Sequence, residues 1–369
     1  MNDASRVIPA GGNPQDRHTE TFSFTGRAGE YFGIWIVNIL LTIVTLGIYS
    51  AWAKVRRQRY FYGNTELAGR SFDYHARGLQ ILIGRIVVLV ALIIYAVLPY
   101  IFAYANMFVI YTVANLILPF LLLAAMPWLI KRGLRFNARV TSYRNVRLDF
   151  HGGYWGAFVA YLIGPFLATL TLGILAPLAS RWMWRYTLGN VSYGGRKVAC
   201  EPQLKALYSQ WWMPALLVLL GVAPLTVLGL GLFGWASSGL ATVNENTVTT
   251  AVFLVFLALM AIYGFAGLFY RAGVRNVAFN AAVFDGRHEF ASRLGRRRYT
   301  WIAISNFLAT IFSLGFARPW AAVRMARYVA SATAVTVSGS LDDYLNEVEQ
   351  TGPAIGAEYM DMEGFDFGL

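Results

Sequence analysis

Apolar residues are gathered in long stretches of the chain that carry no basic side chain. Lys and Arg are absent from residues 86–130 and from residues 206–270. Each stretch divides into two segments, and a run of about 20 apolar residues is long enough to cross a bilayer as a helix. The pattern therefore predicts two transmembrane helical hairpins, at residues 79–130 and 212–270.

Three shorter apolar segments remain, at residues 31–53, 152–180 and 299–317. Each contains a Leu-Gly pair and leads into a helix with basic and aromatic residues. We expect the helix to break at the glycine of each pair, because glycine adopts backbone conformations that strain other residues. The expected break positions are Gly47, Gly173 and Gly315.

The three shorter segments repeat one another. Residues 45–70 align without gaps on residues 171–196, and residues 38–60 align on residues 306–328, with the Leu-Gly and Arg-Tyr pairs in common. A repeat of this kind determines the architecture of a chain. Short β-prone pieces precede and follow each apolar segment. The predicted repeat units are residues 22–74, 148–200 and 290–340.

Basic residues predict how these segments face the membrane. They flank both hairpins and lie near the end of each repeat unit, and such residues stay on the cytoplasmic side. The three units must then share one orientation. If each unit crossed once, a unit and the hairpin after it would make three crossings, and the next unit would be inverted. We therefore predict re-entrant or interfacial helix pairs, and the alternative is seven ordinary spans.

The predicted fold is an all-α polytopic membrane protein. It consists of three parallel repeats of a Gly-broken helix pair and two transmembrane hairpins, with short cytoplasmic β segments. The expected domains are a flexible N-terminal tail at residues 1–20, a single membrane domain at residues 21–340 and an acidic C-terminal tail at residues 341–369. Both termini are expected in the cytoplasm.

Composition supports a membrane location. Of the 369 residues, 57% are hydrophobic and 14% are charged, whereas soluble domains have about 25% charged residues. The net charge of +12 is expected for loops that face an anionic leaflet, so we expect membrane lipids as partners and no nucleic acid. The sequence does not indicate a protein partner.

Catalytic chemistry has no support in the sequence. The single cysteine, Cys200, excludes a Cys-based zinc cluster, and the four histidines show no metal-binding spacing. The glycines of residues 229–234 lie inside an apolar span, where helix packing explains them better than a dinucleotide site. We expect no enzyme, no cofactor and no metal site.

Arginine beside tyrosine recurs in all three units. Guanidinium matches phosphate in two-point geometry, so these residues are candidates for binding lipid headgroups or an anionic solute; the alternative is plain topological anchoring. The candidate contacts are Arg56, Arg59, Tyr60, Arg185, Tyr186, Arg324, Arg327 and Tyr328. Polar residues in the apolar segments are candidates for lining a cavity on the repeat axis, namely Asn38, Thr42, Asn306 and Thr310.

The first unit resembles the YjgN-like family of bacterial inner-membrane proteins, a domain family of unknown function. The resemblance implies an inner-membrane location and no substrate or catalytic residue. It covers about residues 20–340, and the second unit departs from it where residues 175–178 replace a Tyr-Ser-Ala-Trp stretch. The resemblance rests on Phe24-Thr25-Gly26, Tyr31-Phe32, the run from Leu46 to Arg56, and Arg59-Tyr60-Phe61.

Two classes of function follow from the sequence. The first is an integral inner-membrane protein that transports or handles an anionic or lipid-like molecule. The alternative is a non-transporting membrane scaffold that recruits partners at its cytoplasmic face. A polar cavity on the repeat axis would favour the first class, and a solid apolar axis would favour the second.

Overall fold

The computed structural model describes residues 17–237 and 245–339. The helices are α1 (Ala28–Val44), α2 (Ser50–Gly63), α3 (Gly78–Tyr104), α4 (Phe108–Arg139), α5 (Tyr154–Phe158), α6 (Gly164–Leu170), α7 (Ala176–Gly189), α8 (Leu204–Ser237), α9 (Glu245–Asn280), α10 (Arg296–Phe312) and α11 (Arg318–Ser331), with a π-helical turn (Val159–Ile163) between α5 and α6. The strands are β1 (Arg17–Thr21), β2 (Ser23–Phe24), β3 (Thr65–Leu67), β4 (Arg70–Tyr74), β5 (Thr141–Tyr143), β6 (Val146–Phe150), β7 (Val191–Tyr193), β8 (Arg196–Cys200), β9 (Ala282–Phe284), β10 (His288–Ser292) and β11 (Thr333–Ser338).

The strands form one antiparallel sheet that nearly closes on itself. Its order is β1-β11-β10-β9-β8-β7-β6-β5-β4-β3-β2. The two edge strands, β1 and β2, are separated along the chain only by Phe22, whose N–H donates to the carbonyl of Thr333 at 3.0 Å. One continuous segment therefore pairs with β11 at its start and with β3 at its end, and the sheet is barrel-like.

Tight turns lie at one end of the sheet and helices at the other. Each turn has two residues with positive φ, the arrangement of a type I′ hairpin. Because all neighbouring strands are antiparallel, the four turns share one end and every helix pair rises from the opposite end. The turn residues are Ala68-Gly69, Arg144-Asn145, Gly194-Gly195 and Asp285-Gly286.

The helices form a closed circuit above the sheet. A short pair (α1 and α2) is followed by a long pair (α3 and α4), a short pair (α5/α6 and α7), a long pair (α8 and α9) and a short pair (α10 and α11). Each pair packs against the next, and α11 packs against α1. At this closing contact the rings of Trp35 and Phe316 meet edge to face, with centroids 6.2 Å apart.

The four long helices are each long and apolar enough to cross a membrane. At most 11% of the residues in their most apolar windows are buried within the protein, so these surfaces need lipid. They contain the apolar segments of the two predicted hairpins. Helix α1 has 17 residues, which gives a length of about 25 Å, less than the roughly 30 Å of a bilayer core.

The prediction of an all-α fold is wrong. The β-prone pieces noted in the sequence do form strands, but they belong to an 11-stranded sheet that the prediction lacked. The strands have only two to six residues, too few for alternation to be distinguished from a loop. Many of their partners are also distant in sequence. Residues 17–20, which are predicted to be part of the flexible tail, belong to β1. The remaining residues of both predicted tails lie outside the described ranges.

The inside of the sheet is a packed core. Side chains from six strands and the bridging Phe22 meet in one cluster, so they must point inward. The Tyr143 hydroxyl donates to the carbonyl of Leu67 at 2.7 Å, and the Tyr193 hydroxyl donates to that of Tyr143 at 3.0 Å. Buried aromatic and branched side chains fill this space as in a small barrel. The strand members are Leu67, Phe72, Tyr143, Tyr193, Phe290, Val335 and Val337.

Candidate functional site

The three short helix pairs break with the same backbone geometry. The glycines have φ of +93°, +91° and +94°, at Gly47, Gly173 and Gly315. Nothing lies within 4 Å of where a Cβ would be at these glycines. Glycine is therefore favoured by the left-handed backbone conformation and not by lack of space. The leucines that precede them also have positive φ, of 50° or 51°.

A hydroxyl group closes each break. The Thr45 hydroxyl donates to the carbonyl of Leu41 at 2.7 Å and accepts the N–H of Tyr49 at 2.9 Å. Thr171 makes the equivalent pair of bonds, and Ser313 accepts the N–H of Ala317 at 2.8 Å. Such local bonds replace the helical ladder where it is interrupted.

Apolar side chains are exposed at the breaks. Leu46, Leu172 and Leu314 are 94%, 95% and 89% exposed. Neighbouring apolar residues at each break are exposed as well, Val44, Leu170 and Phe312 among them. Contiguous apolar surface of this kind marks contact with a partner or a membrane.

The breaks lie near the feet of the neighbouring helices, where those helices leave the sheet. Ser50 bonds to Arg85 in the second turn of α3, and the carbonyl of Ile174 accepts the Tyr208 hydroxyl in α8 at 3.2 Å. The third break is at the Trp35–Phe316 contact. Two helical turns are about 11 Å, so the short pairs stay close to the sheet.

The repeated tyrosines fasten each short pair at its foot. The hydroxyls of Tyr60 and Tyr186, in the returning helices, donate to the carbonyls of Arg27 and Gly153 at 2.7 and 2.9 Å. Tyr328 donates to Gly295 at 3.2 Å in the third pair. The accepting residue in each case directly precedes the outgoing helix, so these hydroxyls have backbone partners.

The repeated arginines join each short pair to the next segment. Arg59 donates to the carbonyls of Tyr74 and Ala76 at 3.3 and 3.4 Å, and Arg327 donates to that of Gly26 at 3.1 Å. Arg185 instead pairs with Glu201, with a distance of 2.9 Å between Nε and Oε1. The Arg-Tyr pairs thus lie in three separate units and are not brought together into one anion site.

Arg56 and Arg324 each contact an asparagine of their own helix pair. Nη1 of Arg56 is 3.4 Å from Oδ1 of Asn38, and Nη1 of Arg324 is 3.1 Å from Oδ1 of Asn306. Both asparagines are buried. In the second pair Gly164 takes the place of the asparagine and packs against Ala179.

The hydroxyls of Thr42 and Thr310 donate to the backbone carbonyls of Asn38 and Asn306 at 2.6 and 2.7 Å. The four candidate cavity residues therefore form two separate sets of bonds, one inside the first short pair and one inside the third.

Two histidine–serine bonds were missed from the sequence. Nε2 of His75 is 2.7 Å from the Ser142 hydroxyl, and Nε2 of His151 is 3.0 Å from the Ser192 hydroxyl. Both bonds join the ends of neighbouring strands. Each histidine is the last residue of an Asp-aromatic-His tripeptide, and this recurring tripeptide is a signal that could have identified the two bonds. Asp149 approaches the same Nε2 of His151, at 3.8 Å, so it does not complete a Ser-His-Asp relay, in which the carboxylate contacts the other ring nitrogen.

Basic side chains collect at the sheet end of the long pairs, and none occurs at the far end of the first of them. The charged and apolar parts of these helices are thus separated along their length, as is typical of membrane spans. The basic residues at the sheet end are Arg77, Arg85, Lys131, Arg132, Arg135, Arg139, Lys205, Arg271 and Arg275.

Four helices that are long and apolar enough to cross a membrane, with basic residues at their sheet ends, are the features of a helical membrane protein. Its sequence matches the family described as "Bacterial protein of unknown function (DUF898)" over residues 19–362, so the chain belongs to that family. Curated relatives are the inner membrane proteins YjgN, and the resemblance proposed from the first unit is confirmed.

The relative from Salmonella typhimurium is 27% identical over 89% of this chain and 91% of its own length. The relative from Escherichia coli K12 is 30% identical over 46% of this chain and 41% of its own length. No solved structure matches the chain.

Proposed function

We propose that this chain is an integral protein of the bacterial inner membrane with its sheet and both termini in the cytoplasm. Two long hairpins cross the bilayer, and three short pairs lie in the cytoplasmic leaflet. The relatives are named inner membrane proteins, which supports the location. The basic feet of the long helices support the sidedness, because basic residues remain cytoplasmic. Arg17 pairs with Ser338, which supports termini on one side.

The three short pairs are proposed to be copies of one repeated unit. Their matching sequences, break geometries and tyrosine bonds support this. Within the described residues, the first two units are each followed by a long hairpin and the third by β11. Helix α11 of the third unit packs directly on α1.

The proposed activity is the handling of anionic, lipid-like molecules within the cytoplasmic leaflet, without a catalytic step. The observation that carries it is the row of exposed leucines at the breaks, held within about two helical turns of the feet. We call the exposed leucines at the breaks, Leu46, Leu172 and Leu314, the apolar tips. At that depth the apolar tips reach past the headgroups into the acyl chains of one leaflet. They would loosen lipid packing around the protein.

A non-transporting scaffold is the second candidate. The packed interior of the sheet supports it, because the side chains of Tyr143 and Val337 are 6% and 1% exposed and occupy the sheet interior. A scaffold requires only anchoring by the hairpins, so it does not depend on the apolar tips.

Single-cysteine labelling tests the topology. Cys200 is buried, and burial raises the pKa of its thiol to about 12, so its background labelling is expected to be low even before replacement by serine. In the Cys200→Ser background, a cysteine introduced by Ala105→Cys, in the turn between α3 and α4, should react with an impermeant thiol reagent in intact cells. Glu289→Cys on the sheet should react only in inverted vesicles.

A spin label at Leu172→Cys measures the depth of the tips. It should collide with oxygen more often than with a water-soluble nickel chelate, and the label at Glu289→Cys should show the reverse. Labelling of Glu289→Cys from outside would overturn the orientation. A water-exposed label at Leu172→Cys would overturn the lipid-handling proposal.

Replacing all three tip leucines by serine separates the two candidates. Lipid composition or leaflet packing in cells with the triple variant should match that of cells lacking the protein. Restoration of the normal lipid state by the triple variant would favour the scaffold. Leu89→Ser, on the exposed side of α3, is the matched control.

A further inference from the structure

We infer that a phosphate group of an anionic lipid binds where α2 meets α3, between Ser50, Lys54 and Arg85. This inference rests on the proposed location of the short pairs in the cytoplasmic leaflet. None of these three residues belongs to the repeated Arg-Tyr pairs, whose side chains already have partners.

Arg85 and Lys54 are two cations held close together. The Arg85 guanidinium donates to the Ser50 hydroxyl at 2.5 Å. Lys54 is four residues from Ser50 on α2, so it occupies the same helix face, one turn away. The charges of Lys54 and Arg85 repel each other, and Lys54 is partly buried. An arrangement of this kind is unfavourable until an anion joins it.

The helices that build the junction offer no such anion. Asp and Glu are absent from residues 31–65 and from residues 74–148, which together include α2, α3 and α4. The nearest acid on α1 is Glu30, at its foot, and it lies 3.3 Å from the Tyr60 hydroxyl. The two cations therefore lack a carboxylate from any of the helices that build the junction.

Position along α3 favours a lipid as the source of the phosphate. Arg85 is the last basic residue before the apolar stretch 86–130. Ile86 and Leu89, which follow it, are 47% and 57% exposed. A phosphate held by Arg85 would lie at the boundary between headgroups and acyl chains, with apolar surface beside it for the chains. Trp52 packs against Gly78 at the foot of the same helix, and aromatic residues prefer this depth.

The corresponding junction of the second unit lacks the charges. Lys54 aligns with Ser180, and the same offset, continued beyond the aligned residues, places Trp211 opposite Arg85. The Ser180 hydroxyl is satisfied by that of Tyr270, at 3.0 Å. The proposed phosphate site therefore distinguishes the first junction from the second, and the foot of α8 provides a control with one lysine, Lys205.

Thermal unfolding of the purified full chain in neutral detergent tests the site. Added phosphatidylglycerol should raise the melting temperature more than phosphatidylcholine does. Lys54→Met should weaken the apparent phosphatidylglycerol affinity about five- to tenfold. The same variant without lipid should be as stable as the wild type or more so, because the repulsion is relieved. Lys54→Arg should retain binding, and Lys205→Met should leave it unchanged.

The remaining measurements distinguish a lipid phosphate from free phosphate, and failure of this site from failure of the leaflet proposal. Arg85→Gln should lose the response to phosphatidylglycerol, whereas inorganic phosphate at equal concentration should not reproduce it in the wild type. An equal response to inorganic phosphate, or a full lipid response in both Lys54→Met and Arg85→Gln, would overturn this site. The depth of the label at Leu172→Cys is a separate measurement, so the leaflet proposal can stand if this site fails.

Discussion

Three tyrosine hydroxyls at the feet of the short helix pairs join the start of each pair to its return. In the second pair this is possible because the Tyr186 ring approaches the backbone at Gly152 closely. A Cβ on Gly152 would lie 2.5 Å from the ring of Phe150 and 2.7 Å from that of Tyr186. The absence of a side chain at Gly152 therefore lets the Tyr186 ring cover the backbone and reach the carbonyl of Gly153.

Tyr186→Phe should lower the free energy of unfolding by about 1 kcal/mol. It removes a hydroxyl whose partner, the Gly153 carbonyl, is left unsatisfied. Thermal unfolding in detergent measures the effect. Tyr100→Phe is the control, because Tyr100 is 73% exposed and should tolerate the change. Equal stability of the two variants would contradict the role of the bond.

At the residue scale, the sequence revealed which positions recur but not what they bind. Arg59 and Tyr60 are conspicuous in the sequence because their pair recurs, and guanidinium chemistry makes lipid phosphate a candidate ligand. In the structure both side chains donate hydrogen bonds to backbone carbonyls, and a carbonyl is present at every position of a chain. Sequence patterns therefore carry no signal for such bonds, whereas the Asp-aromatic-His tripeptides that contain His75 and His151 are a recognisable signal.

At the element scale, the break in each short pair depends on backbone handedness. Gly173→Ala should destabilise the protein by about 1–2 kcal/mol, because a left-handed conformation strains a residue with a Cβ. Gly33→Ala makes the same chemical change inside α1, where the φ is ordinary and the space is open. It should stabilise the protein by up to about 1 kcal/mol. Opposite signs in thermal unfolding are expected, and a shared sign would refute the explanation.

Helices were easier to predict than strands for a physical reason. In a helix of 27 residues such as α3, Arg85 is the single charged residue, and the apolar character of the remaining residues is visible locally in the sequence. A strand such as β3, with three residues, gains its stability from partners elsewhere in the chain. Its identity is therefore a property of the assembled sheet and not of its own residues.

At the scale of the whole molecule, the segment from β1 through Phe22 to β2 closes the sheet. Deleting residues 1–21 should leave β11 without one partner and expose Val337, which is 1% accessible. Hydrogen exchange in residues 333–338 should then rise at least tenfold. Deleting residues 1–14 keeps β1 and is the matched control. Unchanged protection of β11 in the longer deletion would contradict closure by β1.

The overall arrangement was only partly visible in the sequence. Basic flanks predicted that the repeat units share one orientation, and antiparallel strands with all turns at one end give the same result. Closure was not predictable, because β1 lies within a polar stretch of the N-terminal region and its partner is near the other end of the chain.

The pairing of Thr19 with Thr336 joins residues 317 positions apart, which has a consequence for biosynthesis. Strand β1 must wait, unpaired with β11, until more than 300 further residues have been translated. A nascent chain that stops before β11 then displays two open strand edges, which proteases that survey unfinished products can recognise.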